Sequence, residues 1–356
     1  MDSNAPLEGK IKELEEKITS AQLPSDLLEK LTEELSILRL SLNPTAGSGQ
    51  GSSGFINFEN FVSYVNRILS LPFNKETKDV LDLTLAKNIL DKNHYGLPSV
   101  KNVILEYLSS LILNLNNKKD VSRSPIICLV GLVGTGKTTL ASSLAEALGR
   151  KFERVPFGGM GDASSLRGKS RGVIDAEPGL IIRSLINAKS KNCVILLDEL
   201  DRVTEIGRKD IMGVLVELLD PEQNKAFFDH YVDYPFDLSK VLFIATSNNT
   251  TNIATAVLDR LQIIQMPSYS DEEKTVIAKN YIFPKILKQT GLIENQLIIN
   301  DAVWPVVIRP LGFDSGIRSL ERAIEGMCRK AARLIVEGKT KSAQVTEQNV
   351  KEFLPE

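Results

Sequence analysis

The sequence contains few residues of the types that disulfide frameworks and zinc sites require. Its 356 residues include two histidines and three cysteines. Cys128, Cys193 and Cys328 lie far apart in sequence, and two of them fall in apolar runs. Such a pattern is typical of buried thiols in a reducing compartment. Because there is also no C-x-x-C pair, we do not expect a zinc site.

The chain also lacks long hydrophobic runs and a strong net charge of either sign. No apolar stretch approaches the length of a membrane span, and the N-terminus has no apolar signal core. The net charge of −2 and a pI near 6.0 give no general field for binding nucleic acid. We therefore expect a soluble intracellular protein without a membrane or nucleic-acid partner, long enough for two or three domains.

One glycine-rich stretch dominates the remaining sequence. Residues 131–138, GLVGTGKT, match the pattern G-x-x-x-x-G-K-[ST], with an apolar run before them and a helical pattern after them. The backbone N–H groups of such a loop and the following helix N-terminus attract phosphates. We expect Lys137 to contact the β- and γ-phosphates of a nucleotide and Thr138 to bind Mg²⁺. The predicted nucleotide contacts in this stretch are Gly131, Gly134, Thr135, Gly136, Lys137, Thr138 and Thr139.

Apolar runs alternate with helical patterns between about residues 124 and 267. The runs span residues 126–130, 193–197, 241–245 and 263–266, and they predict a parallel sheet covered by helices on both faces.

Polar residues follow two of these runs, at the sheet edge where such folds bind ligands. Asp198 would belong to the Mg²⁺ shell, and Glu199 would orient or deprotonate an attacking water. Asn248 would hydrogen-bond either the γ-phosphate or the water; taken alone, it would equally suit a turn.

The flanking segments are predicted to be helical. Residues 1–44 show two amphipathic helices, which we interpret as the stem of a larger N-terminal domain; a small helical hairpin is the alternative. Residues 45–54, rich in glycine and serine, predict a flexible linker that looks more like an engineered splice than a natural loop. The remaining predicted domains are a helical lead-in (55–118), an α/β nucleotide-binding domain (119–268) and an all-helical lid (269–356), with no strand after residue 270.

Taken together, the motifs resemble the ATPase module of Lon-type proteases, within the AAA+ superfamily. The resemblance spans roughly residues 55–340. Its most specific segments are Leu219-Asp-Pro-Glu-Gln-Asn224 and Phe228-Asp-His-Tyr231. It implies an AAA+ P-loop fold with a lid, binding of ATP or ADP with Mg²⁺, and ATP hydrolysis that the full enzyme couples to unfolding and threading of protein substrates.

The resemblance also implies roles for residues outside the nucleotide loop. Asn248 matches the sensor-1 position, Arg260 the arginine finger that reaches the next subunit, and Arg318 the sensor-2 arginine of the lid. Tyr95 and Leu97 match the turn that borders the adenine. On their own, the two arginines would be phosphate sensors or surface charges. A finger acting in trans implies a homo-oligomer, a hexameric ring.

Two departures from the family pattern bear on function. The chain contains no Ser–Lys peptidase region, so we expect a fragment of a longer protease that does not itself cleave peptide bonds. Val173 stands where the family's substrate-gripping loop has an aromatic residue, which predicts a weaker grip. A non-proteolytic remodelling factor and a nucleotide-switch scaffold are the alternative functions. We expect a peroxisomal or mitochondrial-matrix protein, with the bacterial cytosol also compatible.

Overall fold

A computed structural model describes residues 5–41, 51–117, 125–308 and 317–354. Its centre is a five-stranded sheet of parallel strands: β1 (Ile126–Val130), β2 (Phe152–Pro156), β3 (Val194–Asp198), β6 (Leu242–Ser247) and β7 (Leu261–Gln265). The strands lie side by side in the order β2-β3-β6-β1-β7.

Helices surround the sheet and form the two flanking regions. In chain order they are α1 (Ala5–Ser20), α2 (Ser25–Ser41), α3 (Gly51–Leu69), α4 (Leu83–Asn93), α5 (Pro98–Asn116), α6 (Lys137–Leu148), α7 (Ser164–Arg167), α8 (Leu180–Ala188), α9 (Arg208–Leu219), α10 (Thr255–Leu258), α11 (Asp271–Ile277), α12 (Phe283–Thr290), α13 (Trp304–Ile308), α14 (Arg318–Val336) and α15 (Val350–Phe353). Among the described residues, no helix is long and apolar enough to cross a membrane.

The sheet separates two apolar cores, because successive side chains of a strand point to opposite faces. On one face, Leu129 and Leu196 pack with α4, α5, α6 and the C-terminal helices. On the other face, Cys128 and Leu197 pack with α1, α2, α3, α8 and α9. The predicted α/β fold with helices on both faces is therefore confirmed.

The N-terminal helices form part of the second core. Ile18 and Leu31, from α1 and α2, are buried with Tyr64 of α3 and with side chains of the nucleotide-binding domain. The Tyr64 hydroxyl donates to the Val232 carbonyl at 2.8 Å. Most of the predicted linker lies outside the described residues, but residues 51–54, which we predicted to be flexible, form the first turn of α3.

The lid is mainly helical, as predicted, but the prediction that it is all-helical is wrong in one respect. Two strands of three residues, β8 (Leu297–Ile299) and β9 (Ala343–Val345), pair in parallel. Such short strands leave no periodicity in the sequence. A further antiparallel hairpin, β4 (Phe227–Asp229) and β5 (Tyr234–Phe236), lies outside the main sheet and was also not predicted.

The three cysteines are buried and unpaired, in agreement with the prediction of buried thiols. Burial raises the pKa of each thiol to about 12, so all three are protonated at neutral pH.

Candidate nucleotide site

The glycine-rich loop joins β1 to α6 in the predicted strand–loop–helix arrangement. Gly134 and Gly136 have φ values of 84° and 89°, a left-handed conformation that glycine adopts without steric cost. A Cβ on Gly131 would lie 2.7 Å from the Met266 Cβ. Glycine is therefore needed for the loop's turn and for its close packing against the chain that follows β7.

Lys137 is the first residue of α6, and its side chain turns back into the loop. Its ammonium donates to the carbonyls of Gly131 at 2.5 Å and Leu132 at 3.0 Å, and to Asn248 Oδ1 at 3.2 Å. All three ammonium donors are thus engaged. Burial lowers the pKa of Lys137, while the carboxylates of Asp201 and Asp198 oppose that shift.

Asp198 ends β3 and gathers polar groups from three elements. Its Oδ1 accepts from the Thr138 hydroxyl at 3.4 Å and from the Thr246 hydroxyl, and its Oδ2 accepts from Arg154 Nε at 2.6 Å. Hydroxyl and carboxylate oxygens are the ligands that Mg²⁺ prefers, with its other positions filled by water and phosphate. Thr138 and Asp198 therefore fit the predicted Mg²⁺ site.

Glu199 follows in an unusual backbone conformation. Its φ of 62° and ψ of 53° place it in the left-handed region, which is uncommon for a residue with a side chain and is often found at functional sites. Its amide donates to Thr246 Oγ1 at 2.9 Å. Its carboxylate lies 3.5 Å from Arg202 Nη1, and a Cβ on Gly158 would lie 3.0 Å from Glu199 Oε2. The carboxylates of Asp198 and Glu199 thus have different partners.

Asn248 lies just beyond β6, between Lys137 and a buried acidic residue. The Asn248 backbone N–H donates to Asp201 Oδ1 at 3.0 Å, and the Asn248 side-chain amide lies 3.2 Å from Asp201 Oδ2. The carboxyl ends of β1, β3 and β6 therefore carry two neighbouring hydrogen-bonded clusters: Lys137 with Asn248 and Asp201, and Thr138 with Asp198 and Thr246.

The lid contacts the phosphate loop at the start of its longest helix. The amide of Ile317, which precedes α14, donates to the Gly134 carbonyl at 3.1 Å. Arg318, the first residue of α14, is close enough for its charge to contribute to the lowered pKa of Lys137. The predicted sensor arginine thus lies beside the phosphate loop. Tyr269, which the sequence did not single out, places its hydroxyl 3.4 Å from the Thr135 carbonyl.

The turn that carries Tyr95 and Leu97 packs against α6 and the lid. The ring centroid of Tyr95 lies 6.5 Å from that of Tyr281 with the ring planes tilted by 58°, and Leu97 is 3% exposed. The neighbouring His94 Nε2 lies 3.0 Å from Ser143 Oγ of α6. Burial, reinforced by the charge of Lys101, lowers the pKa of His94 to about 4. The structure gives neither Tyr95 nor Leu97 a hydrogen bond to the phosphate loop; their predicted contact is with the base.

Arg260 is separate from these groups. It precedes β7, and its backbone carbonyl accepts from the amide of Ile126 at the start of β1. Its guanidinium donates to the Ala256 carbonyl at 2.7 Å and to Asp220 Oδ2 at 3.0 Å. The hydrogen bond from Arg260 lowers the pKa of Asp220. Since the phosphate loop follows the other end of β1, Arg260 lies at the opposite edge of the sheet.

The loop that carries Val173 projects from the domain beside α2 and α3. Val173 is 55% exposed and Ile174 is 89% exposed. At the base of the loop, Arg171 donates to both carboxylate oxygens of Glu34, at 2.7 and 3.0 Å, and stacks 3.9 Å from the ring centroid of Tyr64. An apolar side chain is thus presented to solvent on an anchored loop.

Several residues of the site were not found by sequence reasoning. Arg154 lies on β2, a strand that the apolar pattern did not reveal. Asp201 and Thr246 lie just after two of the apolar runs that were singled out, although neither received a role. Asp220 lies in the segment Leu219–Asn224, which contributed to the family resemblance alone. No periodic signal connects these residues, because their contacts join distant parts of the chain.

Comparison with known proteins agrees with this geometry. Residues 127–269 match the "ATPase family associated with various cellular activities (AAA)", and residues 288–344 match the "Lon protease AAA+ ATPase lid domain". The chain therefore carries an ATPase domain of the AAA family, a class that implies nucleotide binding. Within the class, it is a Lon-type AAA+ module, because the family-specific lid follows the ATPase domain.

Individual relatives support the same assignment. The chain is 43% identical to the Lon protease of Lawsonia intracellularis over 344 residues, which is 97% of this chain and 40% of the relative. It is 40% identical to Lon protease 2 of Herpetosiphon aurantiacus and 41% identical to the Lon protease of Bacillus thuringiensis, over 98% and 97% of this chain. It spans 41% and 42% of those two relatives.

Proposed function

We propose that this chain is the ATP-hydrolysing motor of a Lon-type protease, and that the longer protein couples hydrolysis to unfolding and threading of protein substrates. The observation that carries the proposal is the pair of neighbouring clusters at the phosphate loop, in which Lys137 bonds Asn248 and Thr138 bonds Asp198. In this proposal Lys137 binds the β- and γ-phosphates, Thr138 and Asp198 hold Mg²⁺, and Glu199 accepts the proton of the attacking water. When bound, Mg²⁺ would neutralise charge on the phosphate oxygens.

The complete site includes a residue from a second copy of the chain. Arg260 lies beside the amino-terminal end of β1, whereas the phosphate loop follows its carboxyl-terminal end. We therefore assign Arg260 to the nucleotide of the adjacent subunit and Arg318 to the nucleotide of its own subunit. A ring of identical subunits satisfies this arrangement, since each head-to-tail contact supplies one arginine. The expected ring is a hexamer.

The loop that carries Val173 is proposed to contact the substrate polypeptide. Its exposed Val173 and Ile174 suit contact with an unfolded chain, although an aliphatic side chain offers less contact area than an aromatic one. Remodelling without proteolysis would use the same ATPase site. An intracellular compartment fits this function, and the peroxisomal or mitochondrial location stays a prediction.

The decisive experiment is the steady-state ATPase rate as a function of protein concentration. The parent is compared with Glu199→Gln, Arg260→Ala and the control Arg329→Ala, which removes an exposed lid arginine paired with Glu325. Specific activity should rise with concentration. Glu199→Gln should bind ATP but lose about 10²–10⁴ in rate, and Arg260→Ala about 10³ or more, while Arg329→Ala stays near the parent.

Each outcome tests a different part of the proposal. A parental rate in Glu199→Gln would refute the assigned chemistry. A parental rate in Arg260→Ala would refute the role of the adjacent subunit alone. ATP binding without hydrolysis at every concentration would favour the nucleotide-switch scaffold instead.

A further inference from the structure

Asp201 makes several contacts within the site, although the function proposed above gives it no role. It belongs to the single turn Leu200–Arg202 directly after Glu199, and it is 8% exposed. Besides the backbone N–H of Asn248, its carboxylate contacts the side-chain amide nitrogens of Asn248, at 3.4 and 3.2 Å, and of Asn249, at 3.3 Å. Its own carbonyl accepts from Asn252 Nδ2 at 3.4 Å. A buried acid thus organises the segment that follows β6.

These contacts determine which atom of the Asn248 amide faces the phosphate loop. A carboxylate only accepts hydrogen bonds, and an ammonium only donates them. Asn248 lies between one of each, with its nitrogen toward Asp201 and its oxygen 3.2 Å from Lys137 Nζ. In the reversed orientation the amide nitrogen would face the Lys137 ammonium, donor against donor, and the amide oxygen would face the Asp201 carboxylate, acceptor against acceptor. The network therefore permits one orientation, which is how such amides are assigned.

We propose that Asp201 is a positioning residue that keeps the Asn248 oxygen turned toward the nucleotide, so that Asn248 accepts a hydrogen bond from the attacking water. The inference rests on the function proposed above. It distinguishes between the two roles considered for Asn248, because the amide atom turned toward the phosphate loop is then the oxygen, which accepts hydrogen bonds and does not donate to the γ-phosphate.

The attacking water is best oriented by two hydrogen-bond acceptors, one for each of its hydrogens. During hydrolysis the water oxygen forms a bond to the γ-phosphorus, while the bond from that phosphorus to the bridging oxygen breaks and its electron pair leaves with ADP. One water proton passes to the Glu199 carboxylate. If the second O–H donates to Asn248 Oδ1, both hydrogens are directed away from the phosphate and a lone pair faces the phosphorus. Such orientation is the main protein contribution to phosphoryl transfer.

Exchange of the two side chains tests the proposal. The variants are Asp201→Asn, Asn248→Asp and the double exchange Asp201→Asn/Asn248→Asp. In the double variant, the amide introduced at position 201 donates to the carboxylate introduced at position 248, whose other oxygen still accepts from Lys137 or water. We expect each single variant to lower kcat about tenfold or more with little change in ATP affinity, and the double variant to recover most of that loss.

The readouts are kcat, KM, the dissociation constant for ATP and the urea midpoint of each variant. If the double variant binds ATP but is as slow as Asn248→Asp alone, the amide must donate and the inference is wrong. If Asp201→Asn alone does not fold, comparison of Asn248→Asp with the double variant still decides. A parental kcat in Asn248→Ala would also refute the inference, whereas a parental rate in Glu199→Gln would refute the proposed function of the site.

Discussion

The best-defined stability prediction concerns the ion pair of Arg150 with Asp79. Arg150 Nε and Nη2 donate to the two oxygens of Asp79 at 2.8 and 2.7 Å, and Nη1 donates to the Lys240 carbonyl at 3.2 Å. The side chains are 3% and 16% exposed. The pair fastens the segment between α3 and α4 to the nucleotide-binding domain, where the amide of Val80 also donates to the Leu148 carbonyl.

Asp79→Ala should leave the Arg150 guanidinium buried without its counter-charge. Removing one partner of a buried ion pair costs roughly 3–5 kcal/mol. Because Asp79 is partly exposed, we expect the lower end, a fall of about 3 kcal/mol in the free energy of unfolding. The measurement is urea unfolding followed by far-UV circular dichroism, with ATP binding as a check that the remaining protein is native.

The control is Glu59→Ala, which breaks the pair of Lys10 with Glu59. Those side chains are 56% and 44% exposed, and pairs of this kind contribute about 0–1 kcal/mol. If Asp79→Ala lowers the free energy of unfolding by no more than Glu59→Ala does, burial does not determine the contribution of these ion pairs and the reasoning is wrong.

Two further predictions concern the exposed loop and pH. In a full-length enzyme, Val173→Tyr should increase the stimulation of ATPase activity by an unfolded protein, because tyrosine adds contact area. The control is Val336→Tyr, which places a tyrosine at an exposed position of the lid. Unchanged stimulation in Val173→Tyr would refute the interpretation that Val173 grips the substrate weakly. The second prediction concerns His94, whose pKa is lowered to about 4 in the folded state, from about 6.5 in the unfolded state. Between these pH values the unfolded state binds more protons than the folded state. The free energy of unfolding of the parent should therefore fall by up to about 3 kcal/mol as the pH falls from about 6.5 to 4. Urea unfolding across this range should give a shallower pH dependence for His94→Gln, and equal slopes would contradict the assignment.

The fold could be predicted where apolar strands lie inside the sheet. β1, β3 and β6 are continuous apolar runs because both of their faces are buried. β2 was missed because it lies at the edge of the sheet, where Glu153 and Arg154 replace apolar residues and burial is partial. The other edge strand, β7, was found through its apolar run at residues 263–266, so among the five strands of this sheet the sequence missed the one in which charged residues interrupt the pattern.

The residues of the candidate site also differ in how well the sequence predicts them. Lys137, Thr138, Asp198 and Glu199 fall in short motifs, in which spacing along the chain fixes spacing in the fold. The side chains that contact these residues do not fall in such motifs. Asp201 contacts Asn248 across 47 positions, and Arg154 contacts Asp198 across 44. Since one sequence records no pairing between distant positions, residue type gave no reason to choose these side chains among the other charged residues.

The distance along β1 also explains why this chain is proposed to work as part of a ring. Its five residues span about 13 Å at 3.3 Å per residue, and Arg260 and the phosphate loop lie beyond opposite ends. The Arg260 guanidinium is in addition held by Asp220. In the proposed ring, an arginine fixed there serves not the nucleotide of its own chain but that of a neighbour. Hydrolysis would then depend on contact between subunits, which is the condition for coupling one subunit's ATP to the movement of the next.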